Sequence, residues 1–388
     1  MSPWDRPLLH VGAMPFPSYQ GTQALVRAML EAEAAAGWGS HLLTYGTQGY
    51  PYAAPFPVHR CVDWPRQTSL RSGPSARKLW VDVQLIGQVQ RWVQRLRPTA
   101  LIAHHVEAAV AALVAAGDVP VVFVAHTDLA EELPFYGPVG SGPLLRVLGA
   151  LADRGLCGRA QACAAVSPLL AARLSRVQQR VHYLAPPLPL PRGAVPCQTV
   201  ARERLGLPRG AAVLLYAGNL DRYQGVELLL EVVARVRAEC PDVLLYLATG
   251  SDPRGVQAAA QRFGVGAQLR FGGLRGETER ALVHAAADLV LVPRRAAGGV
   301  PIKLLDGLAR GRPVVATRTA CAGLPLDAVC AVADGETAVA VAAAVMVLLR
   351  SPTQRCRLAH AGPQYIARAH SEQQYLSSIQ EVVELAGA

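Results

Sequence analysis

GGVPIKLLDGLARGRPVVAT, residues 298–317, places two glycines and a proline ahead of a short helical run and closes on a strand. α/β proteins use that loop–helix–strand order to hold a phosphate on a helix N-terminus. Gly298 and Gly299 let backbone N–H groups face a ligand, and Pro301 suits the first helical turn, where its missing N–H costs nothing. Lys303 adds a point charge. Asp306 has the acceptor oxygens to bind a vicinal diol such as the two ribose hydroxyls. From these residues alone, an exposed helix carboxylate behind a flexible loop fits equally well.

Outward from that segment, apolar runs of four to eight residues alternate with helical patterns along the whole chain. Strands are expected at 8–14, 41–45, 100–104, 119–125, 162–166 and 181–184, with helices over 22–37, 74–96, 106–117, 144–160 and 168–176. APPLPLPRGAVPCQ, residues 185–198, holds five prolines and continues neither a helix nor a central strand, so it reads as a linker. Strands then recur at 213–218, 243–250, 269–273, 288–293 and 313–317, and the tail from about 334 is helical. The expected architecture is α/β with two doubly wound parallel-sheet domains, over 1–186 and 210–365. A linker at 187–209 joins them, and a C-terminal helix at 366–388 is free to pack back on the first domain. Ligands of such sheets bind beyond the carboxyl ends of the strands, so a cleft between the domains is the expected site.

Composition narrows the function. With 388 residues, 51% of them hydrophobic, the chain can bury two cores. A formal net charge of +10 fits an acidic small molecule, a nucleic acid, an anionic membrane surface or simply a solvated basic face. The basic residues form no aromatic-interleaved array, which argues against nucleic acid. Eight cysteines with no Cys-x-x-Cys pair point to reduced thiols in a cytoplasmic setting rather than a structural zinc site. The N-terminal stretch is too short and too interrupted for a signal peptide, and no window supplies the roughly 20 apolar residues of a spanning helix.

Two more turns precede the opening segment. AGNLDRYQGVELLLEVV, 217–233, runs from a strand through a polar turn bearing Asn219, Arg222 and Gln224 to Gly225 and a helix. Arg222 can fork onto phosphate oxygens. ATGSDPRG, 248–255, holds Gly250 and reads either as a ligand loop or as a strand-to-helix turn capped by Ser251 or Asp252. Taken in order, the three stretches resemble the second domain of GT-B glycosyltransferases, specifically the retaining group called glycosyltransferase family 4. That family's closing signature resembles Glu-Gly-Phe-x-x-x-x-x-Glu-Ala-Met-Ala-x-Gly-x-Pro-Val-Val-Ala, and here the text is GGVPIKLLDGLARGRPVVA.

The resemblance covers essentially the whole chain and implies specific roles. Asn219, Arg222, Gln224, Gly299, Val300, Pro301 and Lys303 would surround the donor diphosphate and sugar, together with Gln20, Gly21 and Thr22 from PFPSYQGTQALVRAML, 15–30. Gly250, Gly273, Leu274 and Asp306 would hold the nucleoside. His126, in VVFVAHTDLAEELPFYG (121–137), matches a histidine of the family's cleft and is the catalytic candidate; His104, His105 and Glu107 would line the acceptor side. Two departures stand out. Gly298 occupies the place of the first signature carboxylate, which normally contacts the transferred sugar. Gln224 replaces the basic residue before the turn glycine, a charge that Arg222 or Lys303 could restore.

The implied activity is hexosyl transfer from a nucleotide-diphosphate sugar, UDP-linked by expectation, with retention and no metal or other cofactor. The helix N-terminus and nearby cations would stabilise the leaving diphosphate. The acceptor is either a soluble small molecule or a lipid-linked glycan. Residues 64–98 carry seven Arg/Lys against one Asp, with Trp80 and Trp92 in the helical part. This stretch is read either as a contact with an anionic bilayer or as an ordinary surface helix with its tryptophans in the core. Two other readings stay open: a non-catalytic glycosyltransferase-like binding partner, and a nucleotide-sugar epimerase on the same architecture.

Overall fold

Short Val-, Leu- and Ala-rich runs without polar alternation belong to parallel strands covered on both faces. A computed structural model describes residues 6–18, 20–62, 76–138, 141–191, 193 and 195–388, leaving aside the side chains of 76–79. In the first domain the strands are β1 (Leu8–Gly12), β2 (His41–Thr44), β3 (Val58–Arg60), β4 (Ala100–His104), β5 (Val121–Ala125), β6 (Ala162–Ala165) and β7 (Val181–Tyr183). They pair in parallel in the order β3-β2-β1-β4-β5-β6-β7. In the second domain β8 (Val213–Ala217), β9 (Leu244–Ala248), β10 (Leu269–Gly272), β11 (Leu289–Val292), β12 (Val314–Ala316) and β13 (Ala331–Val332) take the order β10-β9-β8-β11-β12-β13. The direction of winding reverses between β1 and β4 in one sheet and between β8 and β11 in the other. Such reversals open a crevice at the carboxyl edge.

Period-two side-chain alternation divides each strand between two helical layers. In the first domain Leu9, Val11, Leu101, Ala103 and Phe123 face a layer that includes helices Ala76–Leu96, His105–Ala115 and Gly142–Cys157. Leu8, Ile102, Val122 and Val124 face helices Gly21–Ala35 and Glu372–Gly387 through Met29, Ala32, Tyr375, Ile379 and Val382. Each fully buried Val, Leu or Ile of these layers contributes about 1.5–3 kcal/mol. The second domain buries Leu214, Leu245 and Leu291 against helices Val226–Arg237 and Ala338–Arg350 through Leu229, Val233, Val341 and Val345.

One compact unit is Met1–Pro187 with His370–Ala388, and the other is Leu188–Ala369. The stretch after Pro187 is not extended throughout. Helix Gln198–Arg204 sits in the second unit, where Arg202 is buried, with Nη2 2.7 Å from Asp288 Oδ2 and Nε 3.0 Å from the Ala286 carbonyl. Among the described residues no helix is long and apolar enough to cross a membrane.

Candidate functional site

In the second domain the loops gather where β8 pairs with β11. The turn after β8 begins at Gly218, whose φ of 150° favours glycine and where an added Cβ would lie 2.9 Å from Lys303 Nζ. The turn closes at Gly225, in the left-handed region at φ 73°, where a Cβ would lie 2.1 Å from the Pro293 carbonyl oxygen. Only glycine fits either place. Lys303 lies in the first turn of helix Ile302–Ala309, and Pro301 is its N-cap. Its Nζ donates to the Tyr216 hydroxyl and to Gln224 Oε1, both at 2.8 Å, and stands 4.1 Å from the Tyr216 ring centroid. The Tyr216 hydroxyl in turn donates to the Asn219 carbonyl. The amine of one loop therefore meets the amide of the other at the position where the resemblance places a basic side chain.

Burial and the neighbouring Arg294 guanidinium push the Lys303 amine well below the usual lysine range, against an opposing pull from Asp221. Arg294 is itself buried and pins the glycine loop, donating from Nη1 to the Gly299 carbonyl at 2.7 Å, while its own carbonyl accepts from Thr317 Oγ1 at 2.9 Å. Gly298 holds φ 132°, a backbone state that a glutamate would adopt only under strain. Val300 is buried beneath the same loop. Asn219 donates to Asp221 Oδ2 at 2.7 Å, and its buried Oδ1 has no hydrogen-bond partner among the described residues. Arg222 is exposed on a single 3-10 turn, Arg222–Gln224.

Asp306 is buried and committed to a cluster of ions. Its Oδ1 accepts from Arg310 Nε at 2.9 Å, and its Oδ2 lies 3.4 Å from Arg280 Nη2 and 3.7 Å from His284 Nε2. Arg310 also reaches Glu277 Oε2 at 2.8 Å. Burial alone would raise the Asp306 carboxyl, but Arg280, His284 and Arg310 hold it below the ordinary aspartate range. The Ser251 hydroxyl accepts from Leu220 N–H at 3.2 Å and ties the first loop to the second, beside the exposed Gly250. Gly273 is exposed and Leu274 half-buried, ahead of helix Gly276–Ala286.

In the first domain the carboxyl edge carries histidines. His104 ends β4 and His126 follows β5; His104 Nδ1 and His126 Nε2 are 3.0 Å apart, and both residues are buried. Burial first, and then neighbouring imidazoles, push both rings well below the usual histidine range, so both are neutral. His105 lies 4.7 Å from His126, ring to ring, and its Nε2 is 3.0 Å from Thr22 Oγ1. It holds φ 69°, a strain of about 1–3 kcal/mol that a non-glycine residue carries only where its surroundings impose it. Gln20 stands at the N-cap position of helix Gly21–Ala35 without a side-chain bond to its backbone, and its Oε1 accepts from Gln23 Nε2 at 2.9 Å. Glu107, half-buried in the first turn of helix His105–Ala115, lies beside Tyr45; burial, Asp82 and Glu107 together push that phenol up.

Thr22, His104, His105 and His126 therefore come together in one domain, and Asn219, Gln224, Gly299 and Lys303 in the other. Arg222 and Glu107 stand outside these two groups. Sequence reasoning missed Arg294 and Tyr216, and it missed His10 and Glu33 behind the histidines. The last two carried a usable signal, being polar residues inside the apolar runs LLHVG and MLEAEAA.

Residues 19–192 match the family model described as Glycosyltransferase Family 4, and residues 211–351 match the one described as Glycosyl transferases group 1. Over 184 residues the chain is 31% identical to a D-inositol 3-phosphate glycosyltransferase of Corynebacterium urealyticum, covering 43% of this chain and 42% of that one. The chain thus spans under half the length of that relative. Its fold is similar to sucrose-phosphate synthase from Thermosynechococcus elongatus, with TM-score 0.80, 18% identity and coverage of 98% and 99% of the two chains. It is also similar to Anabaena Alr3699/HepE in complex with UDP and glucose, with TM-score 0.76, 14% identity and the same coverage. The two parallel Rossmann-like domains are those of the GT-B fold.

Proposed function

From a chain that carries a glycosyltransferase family 4 domain followed by a glycosyl transferases group 1 domain, we propose a glycosyltransferase that moves a hexose from a nucleotide-diphosphate sugar to a hydroxyl acceptor with retention. The observation that carries this reading is Lys303 Nζ, 2.8 Å from Gln224 Oε1 and directly under Gly218. A cation on one glycine-bordered loop replaces the one absent from its neighbour, at a helix N-terminus suited to a diphosphate. As the donor bond breaks, negative charge collects on the leaving diphosphate. Lys303, its amine raised by the bound diphosphate, and the N–H groups at the start of helix Ile302–Ala309 would stabilise it. No metal is invoked for that step. UDP is the proposed nucleotide, a choice supported by the UDP complex of the Anabaena relative. Eight free thiols fit a reducing, cytoplasmic compartment.

UDP, GDP and dTDP should be compared by thermal shift, with UDP expected to give the largest rise in Tm. No rise with any of the three would sink the donor-site reading. Incubation with UDP-sugars then separates transfer or slow hydrolysis, which release UDP, from epimerisation, which changes the sugar while it stays UDP-linked. Nucleotide binding without either outcome would leave a binding partner.

A lipid-linked glycan at an anionic bilayer is the proposed acceptor setting. Of the basic segment 64–98, residues up to 75 lie outside the described ones. Trp92 packs on the core and stacks on His59 at 3.5 Å, whereas Trp80 is 50% exposed. In the same layer, helix Gly142–Cys157 exposes Leu144, Val147, Leu148 and Leu151 together with Arg146 and Arg154, with its one acid, Asp153, buried. Such a face suits the interface of an anionic membrane. Sedimentation with phosphatidylglycerol vesicles should fall at least tenfold in Leu144→Ser/Leu148→Ser/Leu151→Ser relative to wild type; equal sedimentation would move the contact elsewhere.

A further inference from the structure

Beyond His126 the chain reaches Asp128, makes the single helical turn Leu129–Glu132 and the 3-10 turn Leu133–Phe135, and lies against helix Gly142–Cys157. Leu145, Gly149 and Asp153, spaced four residues apart, form one face of that helix, and all three engage the segment. A Cβ on Gly137 would strike the Leu145 side chain, and one on Gly149 would lie 2.5 Å from the Leu129 carbonyl oxygen. Asp153 Oδ2 accepts from Leu129 N–H at 3.0 Å, and Ala130 N–H also bonds to the carboxyl. The segment thus covers Asp153, which is 8% exposed, while Leu144, Val147, Leu148 and Leu151 occupy the opposite side of the helix.

Charge does not balance beneath the segment. Asp128, 4% exposed, accepts from Glu131 N–H at 3.3 Å and pairs with Arg173 of helix Pro168–Leu174. Arg173 Nη1 also stands 3.6 Å from Glu131 Oε1. Asp153, Asp128 and Glu131 therefore share one guanidinium. The other elements against helix Gly142–Cys157 bring no second Arg or Lys among the described residues. Helix His105–Ala115 carries only His105 and Glu107, in its first turn, and Glu132 accepts from the Tyr136 hydroxyl at 2.9 Å. On the helix itself Arg146 and Arg154 are exposed, and the buried Cys157 thiol follows Asp153 by one turn. Burial first and Asp128 second push the Asp153 carboxyl up to about 7, against the opposing pull of the two backbone N–H groups.

We propose that Asp153 is a proton-dependent latch for the segment that follows His126: the protonated carboxyl keeps the segment seated on helix Gly142–Cys157, and each opening of the segment releases that proton. Seated, the carboxyl is dry, faces Asp128 and keeps its proton to near neutrality. Opened, it meets water and titrates near the ordinary aspartate value of about 4. A group that binds its proton more tightly in the closed form favours that form. The seated segment is therefore favoured most in acid and loses ground as pH rises from about 4 to about 7, above which neither form holds the proton. Through His126 the latch bears on the proposed glycosyl transfer, but it is a property of the ligand-free protein and is tested without substrate.

Amide hydrogen exchange of residues 129–133, expressed as protection factors so that the intrinsic pH dependence drops out, reads the opening directly. In the wild type, protection should fall about 10- to 100-fold from pH 5 to pH 7. Asp153→Asn keeps the shape and an acceptor oxygen but has no proton to release. Its protection should stay constant over that range and exceed the wild-type value at pH 7. Amides of helix Val226–Arg237, in the other domain, should not distinguish the two proteins. A carbon-13 titration of the wild-type Asp153 carboxyl should have its midpoint at about 7, and with the wild-type exchange profile it decides the matter should Asp153→Asn fail to fold. Wild-type protection that is level between pH 5 and pH 7, a carboxyl that titrates near 4, or an equal fall in Asp153→Asn overturns the latch. Absence of turnover with every UDP-sugar would defeat the glycosyltransferase reading and leave these outcomes as they are.

Discussion

Lys303→Met should weaken nucleoside-diphosphate binding about 100-fold, roughly 2.7 kcal/mol, the scale of a charge-assisted phosphate contact. The fold should not suffer at neutral pH. In the free protein the amine sits against Tyr216 and Gln224 with Arg294 nearby, and burial plus that guanidinium depress it well below its ordinary value. A lysine lowered in the folded state binds fewer protons there than in the unfolded chain. Its cost to stability is therefore present below the unfolded value and fades as pH rises toward it. Methionine removes that cost and keeps the stem's packing. A bound diphosphate has the opposite effect and raises the amine, so at pH values between the free and bound titrations the complex carries more protons than the free protein. Nucleotide affinity should accordingly fall as pH rises, with proton uptake on binding. Calorimetry in buffers of different ionisation enthalpy reads this uptake directly, and Lys303→Met should abolish it. The swap Lys303→Gln/Gln224→Lys moves the cation across the 2.8 Å contact and should recover at least tenfold of the lost affinity. Undiminished affinity in Lys303→Met would mean that the diphosphate sits elsewhere.

Asp306→Ala should be the most destabilising single change around the second domain's loops, by about 3 kcal/mol in denaturant unfolding. The cause is what it leaves behind. The Arg310 side chain is 6% exposed and Arg280 26%, and both lose their buried counterion, although Arg310 keeps Glu277. The carboxyl is held below the ordinary aspartate range, so its contribution is fully present above the unfolded value of about 4 and drains away as pH falls through the folded one. The wild type should therefore lose stability over that acid window more steeply than the alanine variant. The same substitution should weaken nucleotide binding by about 1–3 kcal/mol if a ribose also reaches the carboxylate. Lost stability with unchanged nucleotide affinity would restrict Asp306 to joining helix Ile302–Ala309 to helix Gly276–Ala286.

Much of the molecule was legible in local pattern. Runs such as VLLYA and VVFVA declare buried parallel strands, since no strand with a solvent face lacks polar alternation, and the prolines after Leu184 mark where one sheet ends. Gly218 and Gly225 identify their turn because a side chain there would strike Lys303 or Pro293. The short edge strand Val58–Arg60 went unread, because three half-buried residues carry no periodicity. Helix Gly142–Cys157 was legible as a helix, but not its exposed leucines, since an apolar stripe does not say which way it faces.

By itself the sequence determined the two α/β domains, the loop order at the carboxyl edges and the residues that crowd there, because hydrophobic period and turn chemistry act over a few neighbouring residues. Only tertiary structure decided how the polar groups are used. It set Lys303 against Gln224 across 79 residues, bound Asp306 to Arg280 rather than leaving it on the surface, and threaded Glu33 through His10 and His104 to His126. A buried proton or charge takes its value from its partners. Which partners meet depends on strand order and register, which no local pattern encodes.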